Sequence, residues 1–357
     1  MMLRKKILSM LCLILLTYSS LVFSMASWDE SDDPDIIQQE DSNYTYEYNF
    51  YRLPTQGKIS HLPWTDSYWP HNRRGLAYRY ATKRSAERFY SLSEVKKMSL
   101  QQLATLSPAE KYDIYMGRFD YPLTNEEFER TSYDSPEWEG ICNGWAPASL
   151  AFKEPKPVTL VGANGIQVPF GSSDIKGLLS LFIAEKSGQS SYFVGTRGYK
   201  TFRIFRSNVV PDFLNAGAFH VIMTNRIGKQ DKGFVIDVDN GLEVWNQPVH
   251  AFKTRILREQ APSYNYAYGT VKEILVSSEV VYTDEIEPEF KARNIDGNES
   301  FRKTKKYDYI LELDRNGNIL GGKWTSSEYP GFLWSMSAGV FSGYMKDLKD
   351  IYRASIR

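Results

Sequence analysis

Cysteine and histidine are both scarce in this chain. Its 357 residues include two Cys and four His. Cys12 lies inside an apolar N-terminal run, so Cys142 is the one thiol expected in a processed chain. A single thiol cannot form a disulfide within its own chain. One Cys and scattered His also lack the ligand spacing of a zinc site. Attention therefore falls on Cys142 itself.

The chain also lacks an excess of either charge. It has 43 Lys and Arg against 43 Asp and Glu, for a formal net charge of +0. This balance gives no electrostatic case for a nucleic-acid partner. Beyond the N-terminus, no apolar run is long enough to span a bilayer.

The N-terminus has the pattern of a secretory signal peptide. Arg4, Lys5 and Lys6 precede the apolar residues 7–23, and Ser24 and Ala26 are small residues at the cleavage-determining positions. We predict cleavage near Ala26 and an extracellular or periplasmic protein. An uncleaved N-terminal anchor is the alternative. Removal of residues 1–26 would leave a mildly acidic chain.

Composition divides the remaining chain into four regions. We expect a flexible acidic N-terminus at 27–43, an aromatic-rich and helical region at 44–135, a catalytic core at 136–270 and a β-rich region at 271–357. Serine caps at Ser99 and Ser107 predict helices. Turn signals predict hairpins around Asn164-Gly165 and Asp314–Asn318. Further predicted elements are a helix at 175–186, a loop at 208–218, and strands at 219–225, 233–239, 242–245, 271–282 and 307–313.

Cys142 lies in the stretch E-G-I-C-N-G-W-A-P-A-S-L-A-F at 139–152. Small and apolar residues predict a buried helix that starts near Gly144 or Trp145, with Pro147 in its first turn. Cys142 would then lie just before the helix, where unpaired N–H groups and the helix dipole favour a thiolate. We interpret Cys142 as a nucleophile; a small buried hydrophobe is the alternative.

A cysteine nucleophile needs a base and a group that orients that base. His220 is predicted at the start of an apolar strand, and Asp237 lies mid-strand among apolar residues, where a carboxylate needs a partner. If the two strands are neighbours, Asp237 can orient the His220 ring. Asn246 is a second candidate orienter. Taken separately, His220 and Asp237 are also consistent with ordinary core residues.

Three stretches carry a resemblance to a known family. They are C-N-G-W-A-P-A at 142–148, N-A-G-A-F-H at 215–220 and V-W-N-Q-P-V-H-A-F-K at 244–253. The chain resembles the secreted transglutaminase elicitors of plant-pathogenic oomycetes and their marine-bacterial relatives. The resemblance implies an α+β fold with a papain-like cysteine-enzyme core, an N-terminal helical extension and a C-terminal β-rich extension.

The resemblance also implies a chemistry. It predicts calcium-dependent transfer of a glutamine γ-acyl group to lysine amines, with protein substrates as partners and Cys142 as the nucleophile. The metal ligands and oligomeric state are not assigned. We expect the Cys142 N–H to stabilise the oxyanion together with Trp138 or Asn143. Trp145 and Trp245 are expected to contact substrate and exclude water.

Two alternative functions remain. One uses the same catalytic residues, and the other uses no catalytic residue. A papain-like cysteine peptidase or glutamine deamidase would need the same triad with water as the acceptor. A non-enzymatic recognition protein would instead present the V-W-N-Q-P segment on its surface.

Overall fold

The computed structural model describes residues 28–196, 214–241, 243–293 and 300–357. The predicted signal peptide and the first part of the predicted loop at 208–218 lie outside these residues. Within them, no helix is both long enough and apolar enough to cross a membrane.

Helices are concentrated in the first half of the chain. They are α1 (Asp35–Gln38), α2 (Leu92–Val95), α3 (Leu100–Ala104), α4 (Pro108–Tyr115), α5 (Pro122–Arg130), α6 (Cys142–Ala151), α7 (Ser172–Leu181), α8 (Ala216–Lys229) and α9 (Leu348–Ser355). A π-helical turn, Phe182–Lys186, continues α7.

Strands dominate the second half. They are β1 (Gln56–Lys58), β2 (Tyr78–Arg79), β3 (Arg84–Ser85), β4 (Val158–Val161), β5 (Gln167–Phe170), β6 (Ser191–Val194), β7 (Phe234–Asp237), β8 (Asn246–Gln260), β9 (Lys272–Thr283), β10 (Arg302–Leu313), β11 (Ile319–Trp324) and β12 (Leu333–Met336).

One antiparallel sheet organises the described residues. Its strand order is β11-β10-β9-β8-β7-β12-β6, and β1 pairs with β8 beside this path. The long β8–β9 and β9–β10 pairings carry the sheet across residue 270, so the predicted core and the predicted C-terminal region share it.

The two faces of this sheet pack against different cores. On β7, Val235 joins the cluster that contains Trp145 of α6, whereas Phe234 and Ile236 join the cluster that contains Phe219 of α8. Side chains alternate between the faces of a strand. Helices α6 and α8 therefore lie on opposite faces of the sheet.

Local signals predicted several elements correctly. Ser99 and Ser107 form capping boxes with Gln102 and Glu110, because the serine oxygen and the third-residue side chain satisfy otherwise unpaired N–H groups. The β4–β5 hairpin turns at Asn164-Gly165, where Gly165 has φ +72°. The turn after Asp314 joins β10 to β11.

The predicted strand at 219–225 is wrong, because these residues belong to helix α8. Asn215 caps the helix by accepting from the N–H groups of Gly217 and Ala218. The side chains of 219–223 are buried on every side of the helix, so no alternation of polar and apolar residues revealed its period. The strand predicted at 242–245 is also shifted, since β8 starts at Asn246.

Candidate active site

Helix α6 begins at Cys142 itself, two or three residues earlier than predicted. The carbonyl of Ile141 accepts from the N–H groups of Gly144 and Trp145 and so forms the first turn. Pro147 consequently lies in the second turn, where it has no N–H to donate to the carbonyl of Asn143. Gly144 has no side chain for a steric reason, since a Cβ there would collide with the carbonyl oxygen of Ser180 on α7.

The thiol of Cys142 is enclosed by polar groups of the segment that enters β8. The Nδ2 of Asn246 donates to Sγ at 3.4 Å, and Sγ lies 3.8 Å from the carbonyl oxygen of Val244. Cys142 is 6% exposed. Burial raises the pKa of the thiol, whereas the Asn246 amide and the Asn143 N–H oppose that shift. The predicted thiolate is therefore not favoured in this conformation, because burial outweighs the helix terminus.

Asn246 is held by a second hydrogen bond. The Nε1 of Trp334 on β12 donates to the Oδ1 of Asn246 at 2.8 Å. Because the amide oxygen is occupied by a donor, the NH₂ group must face the sulfur. The indole of Trp334 is itself stacked on Phe193, with 5.2 Å between ring centroids and 14° between planes.

Asp237 lies next to this site through the sheet register. It is the cross-strand partner of Asn246 in the β7–β8 pair, and directly opposed residues share a face. Its Oδ1 accepts from the N–H of Trp245 at 3.2 Å. Through this hydrogen bond Asp237 holds the segment that carries Val244 and Asn246 in place.

His71 reaches the same site through two backbone contacts. The His71 N–H donates to the Glu139 carbonyl at 2.8 Å, and the Ile141 N–H donates to the Tyr68 carbonyl at 2.7 Å. These bonds fasten the chain around His71 to the residues that precede Cys142. In the sequence His71 ends the Pro- and Trp-rich stretch at 62–71, which carries no signal of a catalytic role.

The surroundings of His71 keep its ring neutral. Its Nε2 lies 2.7 Å from Nη1 of Arg130, which Glu127 holds in turn. Arg130 carries only donors, so Nε2 is the accepting nitrogen and Nδ1 bears the proton. Nδ1 lies 3.9 Å from the Glu139 carboxylate. Burial and the Arg130 charge lower the pKa of His71, against the opposing effect of Glu139.

Two neighbouring cavities share walls near Cys142, which itself lines the polar one. The polar cavity, of about 350 Å³, is lined by Cys142 together with His71, Arg130, Trp138, Glu139 and Glu185. The apolar cavity, of about 530 Å³, lies on the other side of Asn246. Both cavities share four wall residues: Asn143, Glu185, Val244 and Asn246.

His220 is not brought to Cys142. Its ring lies in the α8 core, where Nδ1 is 2.8 Å from the Tyr309 hydroxyl and the ring packs 5.9 Å from Phe50. The Tyr309 hydroxyl continues the chain of hydrogen bonds to Ser278 at 2.7 Å. Burial lowers the pKa of His220 to about 3. Since α6 and α8 occupy opposite faces of the sheet, the predicted pairings of His220 with Cys142 and with Asp237 do not form.

The predicted aromatic residues have different positions. Trp138, like Asn143, lines the polar cavity with Cys142. Trp145 has no exposed surface and belongs to the α6 core, so its predicted contact with substrate is wrong for this conformation. Trp245 packs edge-to-face on Tyr68, with centroids 5.5 Å apart, and its Nε1 donates to Glu243 at 3.0 Å.

Two site residues have no signal in the sequence. Trp334 comes from a strand almost two hundred residues after Cys142. Glu285 accepts from the Gln247 amide at 2.9 Å, and its charge raises the pKa of Cys142. Burial raises the pKa of Glu285 itself to about 8. Neither residue lies in a recognisable motif, since only the folding of the sheet brings them to the thiol.

Most of the V-W-N-Q-P-V-H segment is buried within the site. Residues 246–250 are buried at the start of β8, whereas Val244 and Trp245 are half-buried. The predicted exposure of this segment, on which the recognition-protein alternative depended, is therefore wrong for residues 246–250.

The described residues do not form an evident calcium site. In residues 28–196, 214–241, 243–293 and 300–357, no group of three or more His, Cys, Asp or Glu side chains is placed to hold a metal ion. Of the carboxylates near the thiol, Glu285 accepts from the Gln247 amide, Glu139 lies 3.9 Å from Nδ1 of His71, and Glu185 lines both cavities.

Comparison with known proteins identifies the family of this chain. The crystal structure of the GP42 transglutaminase from Phytophthora sojae superposes with a TM-score of 0.69 at 21% identity, over 91% of this chain and 99% of that one. No curated protein matches the sequence. The family model described as transglutaminase elicitor matches residues 121–340, which include Cys142, Asp237, Asn246 and Trp334. The chain therefore belongs to the transglutaminase elicitor family.

Proposed function

We propose that the chain is a secreted protein-glutamine γ-glutamyltransferase that forms glutamine–lysine isopeptide bonds through a thioester on Cys142. The observation that carries this proposal is the thiol at the start of α6, with the oriented Asn246 amide on its sulfur. The thiol lines one cavity, and a second cavity shares Asn143 and Asn246 with it. The helix-borne cysteine packed on an antiparallel sheet also supports a papain-like core.

In the first half-reaction His71 acts as the base. The imidazole is neutral, so Nε2 can accept the thiol proton once it exchanges its hydrogen bond with Arg130. The sulfur attacks the carboxamide carbon of a glutamine side chain. The resulting oxyanion accepts from the Asn246 amide and from the N–H groups at the start of α6. His71 then returns the proton to the leaving ammonia, and a thioester remains.

In the second half-reaction a lysine amine replaces ammonia. His71 removes a proton from the nitrogen as its bond to the acyl carbon forms, and the tetrahedral adduct uses the same donors. The C–S bond then breaks, His71 returns the proton to sulfur, and the isopeptide is released. Glu139 is the group near Nδ1 that stabilises the transient imidazolium. Asp237 acts as a positioning residue through the Trp245 N–H. No step is assigned to calcium, because the described residues supply no cluster for it.

The decisive experiment measures incorporation of a fluorescent primary amine into a glutamine-bearing protein. Cys142→Ala is the control, and each reaction is run with calcium and with a chelator. We expect incorporation that requires Cys142, and the chelator arm tests the calcium dependence that the family resemblance implies. Ammonia or peptide fragments without incorporation would identify a deamidase or a peptidase. Full biological activity of Cys142→Ala would identify a recognition protein.

A further inference from the structure

The apolar cavity beside Cys142 is larger than a glutamine side chain requires. Its apolar walls come from the π-helical turn after α7, from β6, and from β12 with the residue before it. They include Ile183, Phe193, Phe332, Trp334 and Met336. The Phe193 ring is 48% exposed. A contiguous aromatic and aliphatic surface next to a nucleophile is the usual form of a side-chain subsite.

The two cavities differ in chemistry. The polar cavity carries the carboxylate of Glu139, the imidazole of His71 and the guanidinium of Arg130. Arg130 is already neutralised by Glu127, which is buried and hydrogen-bonded to it at 2.8 Å. Glu139, with Glu185 at the junction of the cavities, remains to attract a cation.

We propose that the apolar cavity is the acyl-donor subsite and takes an aliphatic or aromatic side chain adjacent to the reacting glutamine. This inference rests on the proposed function. Asn246 lines both cavities. A substrate carbonyl that accepts from its Nδ2 would therefore lie where the two cavities adjoin. The neighbouring donor residues then have the apolar cavity within reach.

The acceptor amine belongs in the polar cavity. Against the apolar walls of the larger cavity an ammonium group would lose its hydration, with Glu185 at the junction as the one carboxylate that lines it, which is unfavourable. Near Glu139 and Glu185 it meets carboxylates, and near His71 it meets the base that must deprotonate it. Charge complementarity therefore separates the two substrates on either side of the thiol.

The test compares donor peptides that differ in one residue beside glutamine, Leu in one and Ser in the other. The wild-type protein is expected to prefer the Leu peptide by about tenfold in kcat/KM. Met336→Glu places a charge in the apolar cavity and should reduce this ratio to near one, with the KM of the amine unchanged. Met336 is chosen because it does not contact Asn246 or Cys142 through a hydrogen bond. Val161→Glu is the matched control, since Val161 is 64% exposed on the β4–β5 hairpin.

An equal preference for both peptides in the wild-type protein would overturn the inference. So would a Met336→Glu variant that keeps the Leu preference, or one that changes the KM of the amine instead. Met336→Lys separates the last case: if the cavity held the acceptor amine, the glutamate and lysine variants would shift its KM in opposite directions.

A binding measurement separates failure of this inference from failure of the proposed function. In a Cys142→Ala background, fluorescence anisotropy of the labelled Leu peptide reports binding without turnover. We expect binding that Met336→Glu weakens about tenfold and Val161→Glu leaves unchanged. Binding with this pattern but no transfer in the wild-type protein would support the subsite and reject the transferase. Transfer by the wild-type protein without this pattern of binding would support the transferase and reject the subsite.

Discussion

Two of the histidines, His220 and His71, differ in what surrounds them. His220 on the α8 face is enclosed by Phe50 and Tyr309 and is 2% exposed. His71 lies beside Cys142 in the polar cavity, between an arginine and a glutamate. A buried histidine with a partner is therefore not enough to identify a base. Access to the nucleophile distinguishes the two.

The largest expected effect comes from the matched pair His71→Ala and His220→Ala. Loss of a general base reduces turnover by about 10²–10⁴-fold, so we expect that range of reduction in kcat for His71→Ala. His220→Ala should instead destabilise the fold by about 1–3 kcal/mol, because it breaks a buried hydrogen bond. Its kcat per folded molecule should stay close to wild type. Amine incorporation and urea unfolding measure the two effects. The comparison fails if His220→Ala is fully folded but inactive.

A smaller loss of kcat is expected when the donor on the Cys142 sulfur, or the residue that orients this donor, is replaced. Asn246→Ala removes the donor on the sulfur and should lower kcat by about 10²–10³-fold. Trp334→Phe keeps a ring against Phe193 but loses the N–H that orients Asn246, so we expect a loss of about tenfold. Alkylation of Cys142 by iodoacetamide across pH should report the altered thiol in both variants. An unchanged alkylation profile in Trp334→Phe would mean that Asn246 keeps its orientation without the indole.

The last effect is seen in stability alone and is absent at neutral pH. The pKa of His220 falls to about 3 in the folded chain, against about 6.5 for an unperturbed histidine. The unfolded chain therefore binds the extra proton between these values. The stability associated with the neutral ring is complete above pH 6.5 and is lost as the pH falls toward 3, by up to about 1.4 kcal/mol per pH unit. Urea unfolding of wild type and His220→Ala should show a stability difference that shrinks as the pH falls below 6.5 and reverses sign before pH 3 is reached. A gap independent of pH would mean that the ring has the same pKa in the folded and unfolded chains.

Much of the local structure could be predicted from the sequence. Serine caps and Asn-Gly turns act within a few residues, so Ser107 and Asn164 gave correct elements. Helix α8 was missed because its buried side chains carry no periodic contrast. Asn215, whose side chain caps α8, was the local signal that could have identified the helix.

The site was only partly predictable, and for a reason of topology. Cys142 and Asn246 could be identified from the motifs around them. The positions of His71, His220 and Trp334 relative to Cys142 depend on which face of the sheet each element covers. No spacing along the chain encodes this. Burial of Trp145 likewise follows from the packing of α6, since an aromatic near a cysteine is consistent with either core or cleft.

The enclosure of the Cys142 sulfur affects how readily the protein is oxidised. Oxidants react with the thiolate of a cysteine and not with its thiol. A sulfur that is enclosed, and whose pKa burial raises, is therefore shielded from sulfenic acid formation while the site is empty. A substrate that displaces the Val244 carbonyl from the sulfur would remove this shield at the moment of reaction. The resting protein should keep a titratable thiol during storage in air, and turnover should be the period of greatest damage.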